Sequence, residues 1–134
     1  MSAQVTIMGL GYIGLPTAAL IASKGIPVQG VDVNKKVVDT INKGKIHIVE
    51  PDLEGLVHYA VQKGLLVAST SVKSSDVFLV AVPTPFKGDH EPDLAYVEKA
   101  TRMILPQLRA GNLFIIESTS PVGTTEKMAK LIFK

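Results

Sequence analysis

The chain has 134 residues, a formal net charge of +2 and 46% hydrophobic residues with few aromatics. That length gives one domain able to bury a core, and apolar residues that are mainly Val, Ile, Leu and Ala suit parallel strands covered by helices. There is no cysteine, which excludes disulfides and thiolate metal sites. Scattered lysines argue against a nucleic-acid surface, no run approaches the roughly 18 apolar residues of a membrane span, and the N-terminus lacks a signal-peptide pattern, so a cytoplasmic protein is expected.

In chain order, residues 4–8 form an apolar run that predicts a first strand. It breaks directly into Gly9-Leu10-Gly11-Tyr12-Ile13-Gly14-Leu15-Pro16. A glycine at position 9 permits a tight turn, one at 11 lets a pyrophosphate approach the backbone, and one at 14 lets the next helix pack closely. Pro16 fits the first helical turn, where its missing N–H costs nothing. The helix that follows, carrying Thr17 to Ala22, would present free N–H groups and a partial positive charge to phosphates. A second strand over 28–32 ends in Asp32, 18 residues beyond Gly14. This is where an acid accepts hydrogen bonds from an adenosine ribose. The same carboxylate would repel a 2′-phosphate, so the pattern points to NAD rather than NADP.

Lys35, Lys36, Lys43 and Lys45, the densest basic stretch, read as a solvated helix face. Leu53, Leu56, Val57, Ala60 and Val61 recur at helical spacing between Pro51 and Gly64. Strands are predicted over 66–68 and 77–82. Leu94, Val97, Thr101, Ile104 and Leu108 then mark a helix with Asp93 as N-cap, whose last turn Pro106 splits off. A strand over 113–117 precedes a final helix from Thr125, capped by Thr124 or Thr125.

This order predicts an α/β doubly wound parallel sheet of Rossmann type, its apolar strands, the one over 113–117 included, covered on both faces. A full dinucleotide fold usually has a sixth strand on the far edge, and none is legible here. The expectation is therefore a single domain over 1–134, the N-terminal part of a longer protein.

In such a sheet the ligand lies beyond the carboxyl ends of the strands. Two loops there are unusual: Pro83-Thr84-Pro85 and the residues up to Asp93, and Ser118-Thr119-Ser120-Pro121-Val122-Gly123-Thr124-Thr125. Prolines on both sides of Thr84 restrict its backbone, and a helix start in the second loop adds N–H donors.

Together, the glycine turn at 9–16, Pro-Thr-Pro at 83–85 and Glu-Ser-Thr-Ser-Pro-Val-Gly at 117–123 resemble the nucleotide-sugar 6-dehydrogenases, the UDP-glucose/GDP-mannose dehydrogenase family. The resemblance covers the whole chain. Residues 44–53 and 86–94 are similar to the branch that acts on UDP-N-acetyl-D-mannosamine. What the resemblance implies is a two-step, NAD-dependent oxidation of the sugar C6 alcohol to a carboxylate through a thiohemiacetal and a thioester on a cysteine. The product would be UDP-N-acetylmannosaminuronate, a precursor of bacterial surface polysaccharide. It further implies that Tyr12, Ile13, Asp32, Thr84 and Thr125 contact NAD beside Gly9, Gly11 and Gly14, and that Thr119 helps position a catalytic water. The longer enzyme would be a homo-oligomer.

Two departures stand out. Val37 occupies a position where many relatives carry Lys or Arg near the adenosine ribose. The family's nucleophilic cysteine, its Lys and Asn partners and its substrate-binding glutamate find no match here, so this chain is expected to bind cofactor without oxidising sugar. Asp89, His90, Glu91 and Asp93 read as a solvated turn and cap rather than a metal site, and no metal is expected. His47, Glu50 and Asp52 precede a helix whose dipole favours acids, on a loop able to border the sugar site. His58 reads as structural, and Tyr59 and Tyr96 as helix-surface residues. Alternative readings are a stand-alone domain that senses NAD, a UDP-glucose dehydrogenase, or a β-hydroxyacid dehydrogenase with its catalytic lysine in a second domain.

Overall fold

The computed structural model describes residues 4–88, 91–118 and 120–133. Strand β1 (Val5–Met8) leads through the glycine turn into helix α1 (Gly14–Ser23), followed by β2 (Val28–Val31), α2 (Lys35–Asn42), α3 (Leu53–Gln62), β3 (Leu66–Ser69) and β4 (Val77–Val80). A short hairpin, β5 (Phe86–Lys87) and β6 (Glu91–Pro92), precedes α4 (Ala95–Ile104), a 3₁₀ turn, β7 (Leu113–Ile116) and α5 (Thr124–Ile132). All neighbours in the five-stranded sheet pair in parallel, in the order β3-β2-β1-β4-β7. The strand order reverses between β1 and β4, and that pair sets the crevice where an open α/β sheet binds its ligand.

Each face of the sheet has its own core. Val5, Ile7 and Leu79 pack with Leu15, Ala18 and Ala22 of α1, Ile41 of α2, and Val57 and Ala60 of α3. On the opposite face Met8, Phe78 and Val80 pack with Val97 and Ile104 of α4 and Met128 of α5. The small residues of α1 let it lie close to the strands, and the near-continuous burial of β1 and β2 follows from cover on both sides. One polar group sits within the sheet: the buried Thr6 hydroxyl meets Ser75 and donates to Gln29 Oε1 at 3.2 Å.

Four expectations need correction. Two helices, not the one over 53–61 alone, join β2 to β3: α2 turns Val38 and Ile41, with Val37 beside them, to the core and its charged and polar residues outward. The hairpin strands β5 and β6 are two residues each, too short for an alternating pattern. β7 is not covered on both faces: Phe114 and Ile116 meet the second core, whereas Leu113 and Ile115 are 54% and 36% exposed, because no helix among the described residues covers that side of the edge strand. Neither Thr124 nor Thr125 caps α5. Its N-cap is Gly123 at φ 93°, and the Thr124 hydroxyl instead turns back to donate to the Pro121 carbonyl at 2.8 Å.

Other local signals act close to their predicted places. Asp93 accepts from the Ala95 N–H at 2.9 Å, although Leu94 holds the cap position of α4. The turn at Pro106 is a separate 3₁₀ segment, Leu105–Gln107. Gly64, at φ 71°, closes α3 while the Leu65 N–H reaches back to the Ala60 carbonyl at 2.9 Å, a left-handed helix stop.

Candidate functional site

The glycine turn is built by steric necessity at two of its three glycines. A Cβ on Gly9, at φ 95°, would lie 2.7 Å from the Ala81 carbonyl oxygen, and one on Gly14 would lie 1.7 Å from the Gly9 carbonyl oxygen. The third glycine of the helix start thus packs on the turn itself rather than on the strand. A Cβ on Gly11 would meet nothing within 4 Å, so this glycine leaves the turn open on its outer side. Between the glycines, Leu10 is fully buried and presses on β2, where a Cβ on Gly30 would lie 2.8 Å from it. Tyr12 and Ile13, at 62% and 48% exposure, project from the turn although both are large and apolar.

Among the described residues the N–H groups just ahead of α1 stay free, while that of Leu15 donates to the Gly11 carbonyl at 3.1 Å. Ile13 provides no side-chain cap, the first turn has no acid, and among the described residues the N–H groups of Gly11, Tyr12 and Ile13 have no acceptor within the chain. Helix α2 differs, since Asn34 caps it by accepting from the Lys36 N–H at 3.0 Å. A bare helix start is a receptor for an anion.

Asp32 holds the turn in place. Its Oδ2 accepts from the Leu10 N–H at 3.0 Å and its Oδ1 from the Asn34 N–H at 2.9 Å, so one carboxylate ties the glycine turn to the entry of α2. It also stands between two cavities. The first, of about 250 Å³, is lined by Gly9 to Ile13, Asp32, His47, Ala81 to Thr84 and Ser118. The second, of about 190 Å³ and mostly apolar, lies among Val31, Val33, Val82, Tyr96 and Met103, with Lys99 at its side.

The loops after β4 and β7 close the first cavity. Ser118, buried, donates its hydroxyl to the Val82 carbonyl at 2.8 Å, and the Glu117 and Ser118 N–H groups both reach the Val80 carbonyl. Thr17 on α1 donates to Glu117 Oε1 at 3.1 Å, joining the helix start to the end of β7.

The structure thus brings Gly9, Gly11, Tyr12, Ile13, Asp32 and Thr84 around one cavity, with Gly14 just behind the turn. Thr125 lies elsewhere. It lines an apolar groove of about 600 Å³ beside α5, with Leu105, Phe114 and Ala129. Thr119 lies outside the described residues, as do Asp89 and His90. Val37 is half-buried against the first core. His58 is exposed on α3 and abuts Gly44. Ser118 and His47 entered the sequence reading only as loop residues. The apolar residues before Ser118 signal only a strand, and nothing local marks His47 as facing the glycine turn.

A parallel sheet whose order reverses beside a glycine turn, an uncapped helix start and an acid closing the neighbouring strand define a dinucleotide-binding domain of the Rossmann class. Residues 3–134 match the UDP-glucose/GDP-mannose dehydrogenase family, NAD binding domain, and the chain belongs to that family. It is 62% identical over 128 residues to the UDP-N-acetyl-D-mannosamine dehydrogenase of Escherichia coli K12, a match covering 96% of this chain and 30% of that protein. The Campylobacter jejuni enzyme of the same name is also 62% identical, with 95% and 31% covered. Among solved structures, the UDP-N-acetyl-mannosamine dehydrogenase of Staphylococcus aureus superposes with a TM-score of 0.93 at 40% identity, covering 98% of this chain and 32% of that one. The GDP-mannose dehydrogenase of Pseudomonas aeruginosa, solved as a ternary complex, gives 0.89 at 36% identity, with 96% and 31% covered. The chain therefore spans about 30% of the length of the curated relatives it matches.

Proposed function

We propose that this chain is the cofactor half of an NAD-dependent UDP-N-acetyl-D-mannosamine 6-dehydrogenase. The observation that carries the reading is the cavity between β1 and β4, with bare N–H groups at a helix start on one side and the Asp32 carboxylate on the other. The apolar cavity beside Asp32 suits an adenine ring, Asp32 the ribose hydroxyls, and the open side of Gly11 the diphosphate. The nicotinamide end then runs toward Thr84 and the loop after β7, where the family's reaction takes place. NAD, when bound, accepts hydride from the sugar C6.

This chain's own residues bind and orient. Gly9 and Gly14 let the turn close, Asp32 holds Leu10 and so the turn's position, and Ser118 ties the β4 loop to the β7 loop. Tyr12, Ile13 and Thr84 are the side chains offered to NAD. Thr119 is proposed to position a water by resemblance alone, and Thr125 keeps its proposed cofactor role on the same ground. No residue of the chain is a cysteine, so the thiolate nucleophile of the family's chemistry comes from outside these 134 residues. The reading places the protein in the cytoplasm, on a path to a bacterial surface polysaccharide, as part of a longer homo-oligomeric enzyme. No helix among the described residues is long and apolar enough to cross a membrane.

Calorimetry with NAD and NADP on the 134-residue chain tests the cofactor. NAD is expected to bind more tightly, because Asp32 repels a 2′-phosphate, and equal affinities would count against the assignment. Incubation with NAD and UDP-N-acetyl-D-mannosamine tests the division of labour: no NADH should form, and its formation would show that the chemistry needs nothing beyond this chain.

A further inference from the structure

The bound cofactor's diphosphate carries two negative charges, yet the cavity that would receive it is almost without cations. Among the described residues its lining holds no Lys or Arg; its carboxylate is Asp32, and its one side chain able to become positive is His47. Val37 is apolar and packed against the first core, and Lys99 lines the adjoining apolar cavity.

His47 reaches this place through chain geometry. Helix α2 ends at Asn42, and just beyond it Gly44, at φ 76°, turns the chain while the Lys45 N–H returns to the Thr40 carbonyl at 3.2 Å. The chain then runs as an irregular segment to Asp52, whose left-handed φ of 63° starts α3. That segment lays His47 against the cavity formed by Gly9 to Ile13.

We propose that His47 is a further cofactor-binding residue, whose imidazolium supplies positive charge to the dinucleotide diphosphate at the glycine turn. The inference rests on the NAD reading of this cavity. The titratable groups that line the cavity with His47, among the described residues, are Tyr12 from the turn and Asp32 from the end of β2. Its own segment carries Lys45, Glu50 and Asp52, and His58 of α3 abuts the segment at Gly44. A diphosphate diester stays dianionic through the pH range 5 to 8, as carboxylates stay ionised and phenols neutral, whereas imidazoles change charge there. Protonation of His47 therefore adds attraction, and affinity for the diphosphate is strongest at the acid end and declines as pH rises.

The test uses the full 134-residue chain, with ADP-ribose as the diphosphate probe and adenosine as the probe lacking phosphate. Dissociation constants are measured by calorimetry from pH 5.5 to 8.5 at low and high salt. ADP-ribose is expected to bind about five- to tenfold more tightly at the acid end, as a charge-assisted contact gives, with the gain shrinking as salt screens it. His47→Gln should flatten this profile, and His47→Lys should bind tightly at every pH. His58→Gln and His90→Gln, the other two histidines, should keep the profile of the parent. Adenosine should show no such profile. A His47→Gln chain that keeps the parent's pH dependence, or an adenosine profile equal to that of ADP-ribose, overturns the role of His47 while leaving the NAD site standing. Absence of ADP-ribose binding at every pH overturns both.

Discussion

The two ends of the sheet are finished to different degrees. Edge strand β3 is clamped by Asn42 at the end of α2, whose side chain donates to the Ala68 carbonyl and accepts from the Ala68 N–H, both at 2.9 Å. One amide thus satisfies the outer edge as a neighbouring strand would. Edge strand β7 has no such clamp among the described residues, its Leu113 and Ile115 are exposed, and an apolar groove lies beside it along α5. The glycine turn and its supports belong to the closed part of the molecule. Their geometry is over-determined by contacts within β1, α1, β2 and β4, and among the described residues the open edge reaches the cofactor cavity only through Glu117 and Ser118 at the end of β7.

Substitutions can break or sharpen that contrast. The largest effect is expected from Gly14→Val, because its Cβ would overlap the Gly9 carbonyl; unfolding in urea should show a loss of about 3 kcal/mol or more. A smaller loss would mean the turn can shift. Asp32→Ala removes two hydrogen bonds to a carboxylate and the partner of the ribose, so NAD affinity should fall roughly 10- to 100-fold, as the loss of charged hydrogen bonds worth about 1.5–3 kcal/mol gives. Calorimetry measures it, and unchanged affinity would remove Asp32 from the site. Ser118→Ala should cost about 1 kcal/mol, seen as faster amide exchange at the ends of β4 and β7. The smallest effect belongs to the open edge: Ile115→Thr should change the stability of this chain by no more than about 0.5 kcal/mol. If it costs as much as a core truncation, β7 is covered in solution and the contrast fails.

Most of the frame was legible in the order of residues. The five main strands fell within a residue or two of their predicted ends, because each is a short apolar run bounded by strong breakers such as Gly9, Asp32 and Pro83. The parts that escaped had weak local signals. The hairpin at Phe86–Lys87 and Glu91–Pro92 pairs only two residues on each strand, too few for an alternating pattern. The threonines at 124 and 125 looked like caps because such residues favour caps, but Gly123 took the left-handed position and sent the Thr124 hydroxyl to Pro121 instead.

By itself the sequence determined the glycine turn, the acid that closes β2 and the alternation of strands and helices, since each depends on steric or periodic rules that act within a few residues. Only the tertiary structure decided that Leu10 locks over Gly30, that Ser118 pins the β4 loop, that Thr125 looks toward the groove rather than the glycine turn, and that His47 lines the cavity. These are meetings of segments distant along the chain, set by the sheet's strand order and the packing of helices upon it, which no local pattern of residues encodes.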